Sequence, residues 1–152
     1  MKTRIRQATP RDAPALSNIA YAAKAHWGYP KRWMDIWKPQ FDFPPLYFDE
    51  RDGWVADADG KPIAFYTLEE RDNQAWIENL WVHPEYMGKR IGKRLFMHAL
   101  SRSRQGGYLI LQLEADPNAV GFYENMGMYK VGEIRYPLEG QTRILPVMEI
   151  KL

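Results

Sequence analysis

The sequence predicts an α+β fold, a single domain spanning residues 1–152 and built on one mixed, mostly antiparallel sheet of about six or seven strands flanked by about four helices. Three observations predict it. The 152-residue length suits one hydrophobic core, since domains run roughly 100–200 residues. Alternating segments are separated by tight-turn pairs, Asp59-Gly60 and Asp72-Asn73. Amphipathic segments with helical spacing lie between and after these strands, each bounded by capping or stop residues.

In chain order, Ile5 sits in a short alternating segment that reads as a strand. Thr9-Pro-Arg-Asp12 then supplies an N-cap, a proline at the first helical position and an acid in the first turn. A helix follows with Leu16, Ile19, Ala20 and Ala23 on one face, ending near Trp27-Gly28. Trp33, Ile36 and Trp37 are spaced for a short helix that Pro39 stops. Trp54–Asp57, Pro62–Glu70 and Ala75–Val82 read as an antiparallel meander. From Gly88 to about Arg104, Ile91, Leu95, Phe96, Ala99 and Leu100 give a helical period, closed by Gly106-Gly107. Tyr108–Glu114 has the continuous apolar pattern of a buried strand. Asp116 and Pro117 start a last helix that Gly127 ends, and Tyr129–Tyr136 and Leu145–Leu152 close the chain as strands.

Composition narrows the function. With 45% hydrophobic and 26% charged residues the chain is neither disordered nor fibrous. No run approaches the roughly 18 apolar residues of a membrane span, and the opening has no signal-peptide core, so a cytoplasmic protein without membrane partners is expected. Cysteine is absent, which excludes disulfides, thiolate metal sites and an acyl-cysteine intermediate. The three histidines, His26, His83 and His98, have no metal-ligand spacing, so no metal is expected. A net charge of +2 does not indicate a general nucleic-acid binder.

The most informative stretch runs from Leu80 to Leu95, where a strand passes through a glycine turn directly into a basic amphipathic helix. Amides at a helix start and the helix dipole attract phosphate, Gly88 allows close backbone approach, and Lys89, Arg90, Lys93 and Arg94 add charge. A solvated basic face is the competing reading of the same residues. The second stretch is Leu111 to Tyr129, with Asn118, Ala119, Phe122-Tyr123-Glu124 and Gly127-Met128.

Together with the strand ending in Val82 and the turn at Gly88 and Gly92, these residues resemble the acetyl-coenzyme A site and closing helix of GNAT acetyltransferases. The order of elements is similar over nearly the whole chain. The resemblance implies that Ala75–Val82 parts from Tyr108–Glu114 to admit the pantetheine arm, with Leu80, Trp81 and Val82 along it. It implies that the turn from Met87 through Gly88, Lys89, Arg90, Ile91 and Gly92 to Lys93 holds the pyrophosphate, and that Asn118 and Phe122 lie on the cofactor. The family pattern in that turn is arginine or glutamine, two variable residues, glycine, one variable residue, then glycine or alanine. Here those fixed positions are Met87, Arg90 and Gly92.

The resemblance also implies N-acetyl transfer from acetyl-coenzyme A directly to a primary amine in a ternary complex, with Tyr123 returning a proton to the departing thiolate. Glu78 is the candidate base, since a partly buried carboxylate can have a raised pKa. Alternation puts Glu78 on one face with Leu80 and Val82, and Asn79 on the other with Ile77 and Trp81; either face can meet the acceptor. His26, Trp27, Tyr29 and Trp33 fall where similar proteins bind the acceptor, and an aromatic wall can hold an ammonium by cation–π contact. A packed helix end is the simpler reading of the same four. The acceptor stays open among amino acid, polyamine, aminoglycoside and protein N-terminus, and a homodimer through terminal strands is possible on sequence grounds. A non-catalytic acyl-coenzyme A-binding module is the alternative.

Overall fold

The computed structural model describes residues 1–152. In chain order the elements are β1 (Thr3–Gln7), α1 (Ala13–Ala25), α2 (Lys31–Trp37), β2 (Asp52–Ala58), β3 (Lys61–Arg71), β4 (Gln74–Val82), α3 (Ile91–Gln105), β5 (Ile110–Glu114), α4 (Val120–Asn125), β6 (Tyr129–Leu138) and β7 (Gln141–Lys151). Short 3₁₀ turns lie at Pro10–Asp12, Lys38–Phe41, Pro45–Phe48, Pro84–Tyr86 and Pro117–Ala119. The seven strands form one mixed sheet in the order β1-β2-β3-β4-β5-β7-β6, the α+β architecture the sequence predicts. Two compact units are distinguishable: Met1–Leu68 with Asn79–Met97, and Glu69–Glu78 with His98–Leu152. No helix is long and apolar enough to cross a membrane.

In the first unit β1 pairs antiparallel with β2 from Thr3↔Ala58 to Gln7↔Trp54, and β2 pairs antiparallel with β3. The β2–β3 turn takes positive φ at both Asp59 (53°) and Gly60 (90°), the mirror-image turn that matches strand twist. A bulge between Ala56 and Asp57 brings the Asp57 carboxylate to the Gly60 amide at 2.6 Å. Asp12 stands at the N-cap position of α1 after the 3₁₀ turn, and its side chain reaches back to accept from the Thr9 amide at 2.8 Å rather than from the helix amides. Arg6 of β1 joins both acids, at 2.8 Å to Asp12 and 2.9 Å to Asp57. The core comprises fully buried Leu16, Ala20, Val55, Ile63, Phe65, Tyr66, Leu95 and Phe96. Phe43, Phe48 and Phe65 pack edge-to-face within it at 5.6–6.1 Å.

In the second unit β7 runs between β5 and β6, antiparallel to both. Leu111, Leu113, Ala115 and Met148 are almost fully buried there with Ala99 and Leu100 of α3. Several boundaries differ from the sequence reading: β7, expected from Leu145, already begins at Gln141, and the helix expected from Pro117 opens with a 3₁₀ turn so that α4 starts at Val120. The strand expected from Tyr108 starts at Ile110, and its burial alternates: Leu111 and Leu113 are buried while Ile110, Gln112 and Glu114 are half-buried. Leu109 is 79% exposed, because the Gly106-Gly107 turn delivers the chain before the ladder begins. Helix α3 begins at Ile91 rather than Gly88, because Gly88 (φ 78°) and Arg90 (φ 62°) both occupy the left-handed region, which a helix cannot include.

Candidate active site

Within the first unit, the end of β4 is organised around Asn79. This side chain is buried, and its amide donates to the Tyr47 hydroxyl at 2.7 Å and to Thr67 Oγ1 at 3.0 Å. Its carbonyl oxygen accepts the Trp81 indole N–H at 3.0 Å. A buried amide must satisfy donors and acceptor together, so this network fixes the rotamers around it. Trp81 is held a second time by Phe41, edge-on at 5.4 Å. Leu80, Trp81 and Val82 are half-buried, and the His83 amide donates back to Ile63 of β3 at 2.9 Å.

The chain then turns into α3. His83 Nδ1 accepts from the Glu85 amide at 3.2 Å, and the Met87 amide donates to the Pro84 carbonyl at 3.3 Å. The Met87 amide is thus engaged inside the turn. The first bond of α3 runs from the Arg94 amide to the Arg90 carbonyl at 3.1 Å, so the amides of Ile91, Gly92 and Lys93 precede any intrahelical partner. These amides, at the positive end of a 15-residue helix, suit a phosphate. Gly88 has open space where a Cβ would project, so its glycine answers the positive φ rather than crowding. Among the basic residues, Arg94 donates to the Thr3 carbonyl at 3.2 Å and Lys89 lies 5.6 Å over the Tyr86 ring, while Arg90 and Lys93 are exposed.

The four proposed acceptor-binding residues separate into two pairs. His26 and Trp27 are exposed and meet each other edge-on at 5.6 Å. Tyr29 and Trp33 instead join Trp37 in a cluster, with ring separations of 6.1 Å (Tyr29–Trp33), 5.0 Å (Tyr29–Trp37) and 5.9 Å (Trp33–Trp37). The sequence reading missed Lys24, whose ammonium lies 4.9 Å over Tyr29 and 4.6 Å over Trp37. It falls on the apolar face of α1, between Ala20 and the helix end, which was the available signal. The Trp33 indole N–H is buried without an acceptor, an arrangement that costs about 1–3 kcal/mol.

Within the second unit, the parallel β4–β5 ladder consists of two pairs only, Ala75↔Leu111 and Trp76↔Gln112. Leu113 and Glu114 continue to pair with Met148 and Val147 of β7, so β5 keeps its course while its ladder with β4 ends. Glu78 stands just past this parting, half-buried, and is hydrogen-bonded to Glu69. Burial first, then that bond and the Glu78 charge, raise the Glu69 carboxyl above its ordinary value against the opposing Arg71 guanidinium. Arg71 pairs with Glu69, lies 3.6 Å from Glu114 and stacks 4.7 Å over Trp76. Tyr136 donates to Glu114, and burial together with this bond pushes its hydroxyl up to about 12. Glu69 was not anticipated; it lies on β3, next to β4 in the sheet, and its side-chain bond to Glu78 is what reveals the pair.

Tyr123, the sequence candidate for the acid, is 8% exposed on α4 and meets Phe122 at 5.2 Å. Burial, and secondarily the Asp116 charge, push its hydroxyl well above the ordinary tyrosine value. Asp116 caps the preceding turn, accepting from the Asn118 amide at 2.9 Å and from its side chain at 3.0 Å, and lies 3.3 Å from Arg143. Asn118 is exposed, with its side-chain amide directed to that cap.

The seven-stranded mixed sheet, in which β4 and β5 pair in parallel over two rungs, places the chain among α+β folds. Residues 16–128 match the Acetyltransferase (GNAT) family, and the chain belongs to that family. A GCN5-related N-acetyltransferase from Rhodopseudomonas palustris is similar at 22% identity with a TM-score of 0.84, covering 100% of this chain and 97% of that one. The paiA N-acetyltransferase of Thermoplasma acidophilum, solved in complex with coenzyme A, is similar at 25% identity and a TM-score of 0.77, with both chains fully covered at 100%. The ribosomal-protein-S18-alanine N-acetyltransferase of Escherichia coli is similar at 21% identity and a TM-score of 0.75, covering 99% of this chain and 94% of that one.

Proposed function

We propose that this chain is an N-acetyltransferase that moves an acetyl group from acetyl-coenzyme A directly to a primary amine. The observation that carries the reading is the two-rung β4–β5 ladder, because strands that part leave backbone donors and acceptors for an extended ligand to pair with. Open amides at Ile91, Gly92 and Lys93, with Lys93 and Arg90 exposed beside them, fit a pyrophosphate. Acetyl-coenzyme A would be held by these groups and by Leu80, Trp81 and Val82, and would supply an activated thioester. Asn118 and Phe122 are the further contacts proposed for it.

The chain's own residues supply the proton chemistry. Glu78 accepts a proton from the acceptor ammonium, with Glu69 beside it keeping the pair's affinity for a proton high. Tyr123, protonated through the neutral range, delivers a proton to the leaving sulfur. The chain has no cysteine, so no acyl-cysteine stage intervenes, and coenzyme A release can be read with a thiol reagent without protein background. Incubation of the protein with acetyl-coenzyme A and a panel of amines tests the reading: amine-dependent thiol release supports it, whereas tight cofactor binding without release for any amine favours a non-catalytic acyl-coenzyme A module. Arg90 in a left-handed conformation and the engaged Met87 amide are the features that favour this second reading.

A further inference from the structure

We infer that Arg71 is a positioning residue: its guanidinium spans the parting of β4 and β5 and governs when the Glu69–Glu78 pair gives up a shared proton, and so when Glu78 can serve as base; this rests on the acetyltransferase reading. An ionised carboxylate only accepts hydrogen bonds, so two carboxyl groups bonded to each other must hold a proton between them. Glu69 and Glu78 are bonded in this way. While it holds one proton the pair takes a second only weakly. It must therefore release the first before Glu78 can draw one from an ammonium.

Arg71 reaches both sides of the parting. The β4–β5 ladder ends at Trp76↔Gln112, and the same register carried two residues on sets Glu78 of β4 level with Glu114 of β5. Arg71 Nε pairs with Glu69, which carries the bond to Glu78, while Nη1 lies 3.6 Å from Glu114. The guanidinium also stacks 4.7 Å over the Trp76 ring, and a rigid fork of donors suits this double reach. Glu114 is held in turn by the Tyr136 hydroxyl. Glu149 of β7 is engaged separately, by Gln112 at 2.6 Å and Tyr129 at 3.1 Å, and Glu70 by Tyr108 at 2.6 Å. The charges set against the pair are thus the Arg71 guanidinium, which favours loss of the proton, and the Glu114 carboxylate, which opposes it. Without Arg71, three half-buried carboxyls would be left against one another, and the proton would stay on the pair to higher pH.

The test is a pH titration of the full chain by nuclear magnetic resonance, with ¹³C at the glutamate carboxyls and ¹⁵N at the arginine side chains. The two carboxyl signals are assigned by their loss in Glu69→Gln and Glu78→Gln. In the unmodified chain they should move together in two separate steps, as a pair sharing one proton does, and the Arg71 Nε signal should shift at the upper step. Arg71→Met should carry that upper step at least about one pH unit higher, and Arg71→Lys, which keeps the charge, should undo most of the move. Glu69→Gln should do the reverse and draw the Glu78 titration below the parent's upper step, since an amide donates to a carboxylate and adds no charge. With an amine that supports thiol release, the acid limb of kcat/KM should rise in Arg71→Met by the same interval. The inference is overturned if the two carboxyls titrate independently in one step each, if the Arg71 Nε signal does not follow the upper step, or if Arg71→Met leaves that step in place. The first two readings use the unmodified chain, so they decide the matter even if Arg71→Met does not fold. Thiol release with no amine at all, beside titrations as expected, would instead strike the acetyltransferase reading, and the two failures are distinct.

Discussion

A tyrosine hydroxyl serves as an acid only if it keeps its proton until the leaving group needs it, and the environment of Tyr123 secures that. Because its pKa is raised by burial and by Asp116, Tyr123 stays protonated well into the alkaline range, and kcat should show no falling limb from about pH 8 to 10. Tyr123→Phe should lower kcat about 10²-fold with acetyl-coenzyme A affinity unchanged, read by steady-state kinetics beside calorimetry. Full turnover in that variant at every pH would assign the acid elsewhere. Glu78→Gln should also lower kcat about 10²-fold near neutrality, with partial recovery at high pH as free amine accumulates. A pH profile parallel to the parent's would exclude Glu78 as base. Arg90 is a different case. Its left-handed backbone, φ 62°, costs an L-residue about 1 kcal/mol that glycine avoids. Arg90→Gly should therefore raise the melting temperature by a few degrees, and a lower value would show that the Arg90 side chain makes a compensating contact.

At the scale of elements, the first unit depends on one ionic junction. Arg6 of β1 ties Asp12, at the N-cap position of α1, to the β2 bulge, Asp57. Burial alone would raise both carboxyls, but their hydrogen bonds to Arg6 outweigh it and hold them below the usual range. Groups whose folded pKa is depressed contribute stability above their unfolded pKa and lose it as pH falls through the folded value. Urea midpoints should therefore fall below about pH 4. Arg6→Met, which leaves two buried carboxylates without their cation, should cost about 3–5 kcal/mol at neutral pH and should flatten that acid dependence. An unchanged midpoint would mean that the junction is solvated. Asn79 is the corresponding point on β4: Asn79→Ala removes the acceptor of the Trp81 indole and the donor to Thr67 and Tyr47, and should cost about 2 kcal/mol.

For the whole molecule, much was legible because local chemistry and fold agree. Paired turn residues at Asp59-Gly60 and Asp72-Asn73 and the Gly127 stop take positive φ, which few other residues adopt, and Asp116 caps its turn by accepting from the Asn118 amide. The seven strands followed from that punctuation together with alternation. What was not legible depends on three-dimensional neighbours. The sequence presents Lys24 as one more helix lysine, and only the return of α2 brings Tyr29 and Trp37 around it. Arg90 reads as basic charge, whereas its backbone conformation moves the start of α3 three residues on, from Gly88 to Ile91. Glu69 was hidden because its bond to Glu78 joins side chains of two different strands, β3 and β4. Strand order at the C-terminus, with β7 between β5 and β6, is likewise set by pairing and not by any residue pattern.

The central claim is that the turn before α3 and the parting of β4 from β5 serve acetyl-coenzyme A. A calorimetric titration with acetyl-coenzyme A, run beside adenosine 3′,5′-bisphosphate as a control for charge alone, tests it most directly. The account predicts micromolar binding of acetyl-coenzyme A, about −8 kcal/mol, clearly tighter than the control. Binding no tighter than the control, or none at millimolar concentration, would contradict it.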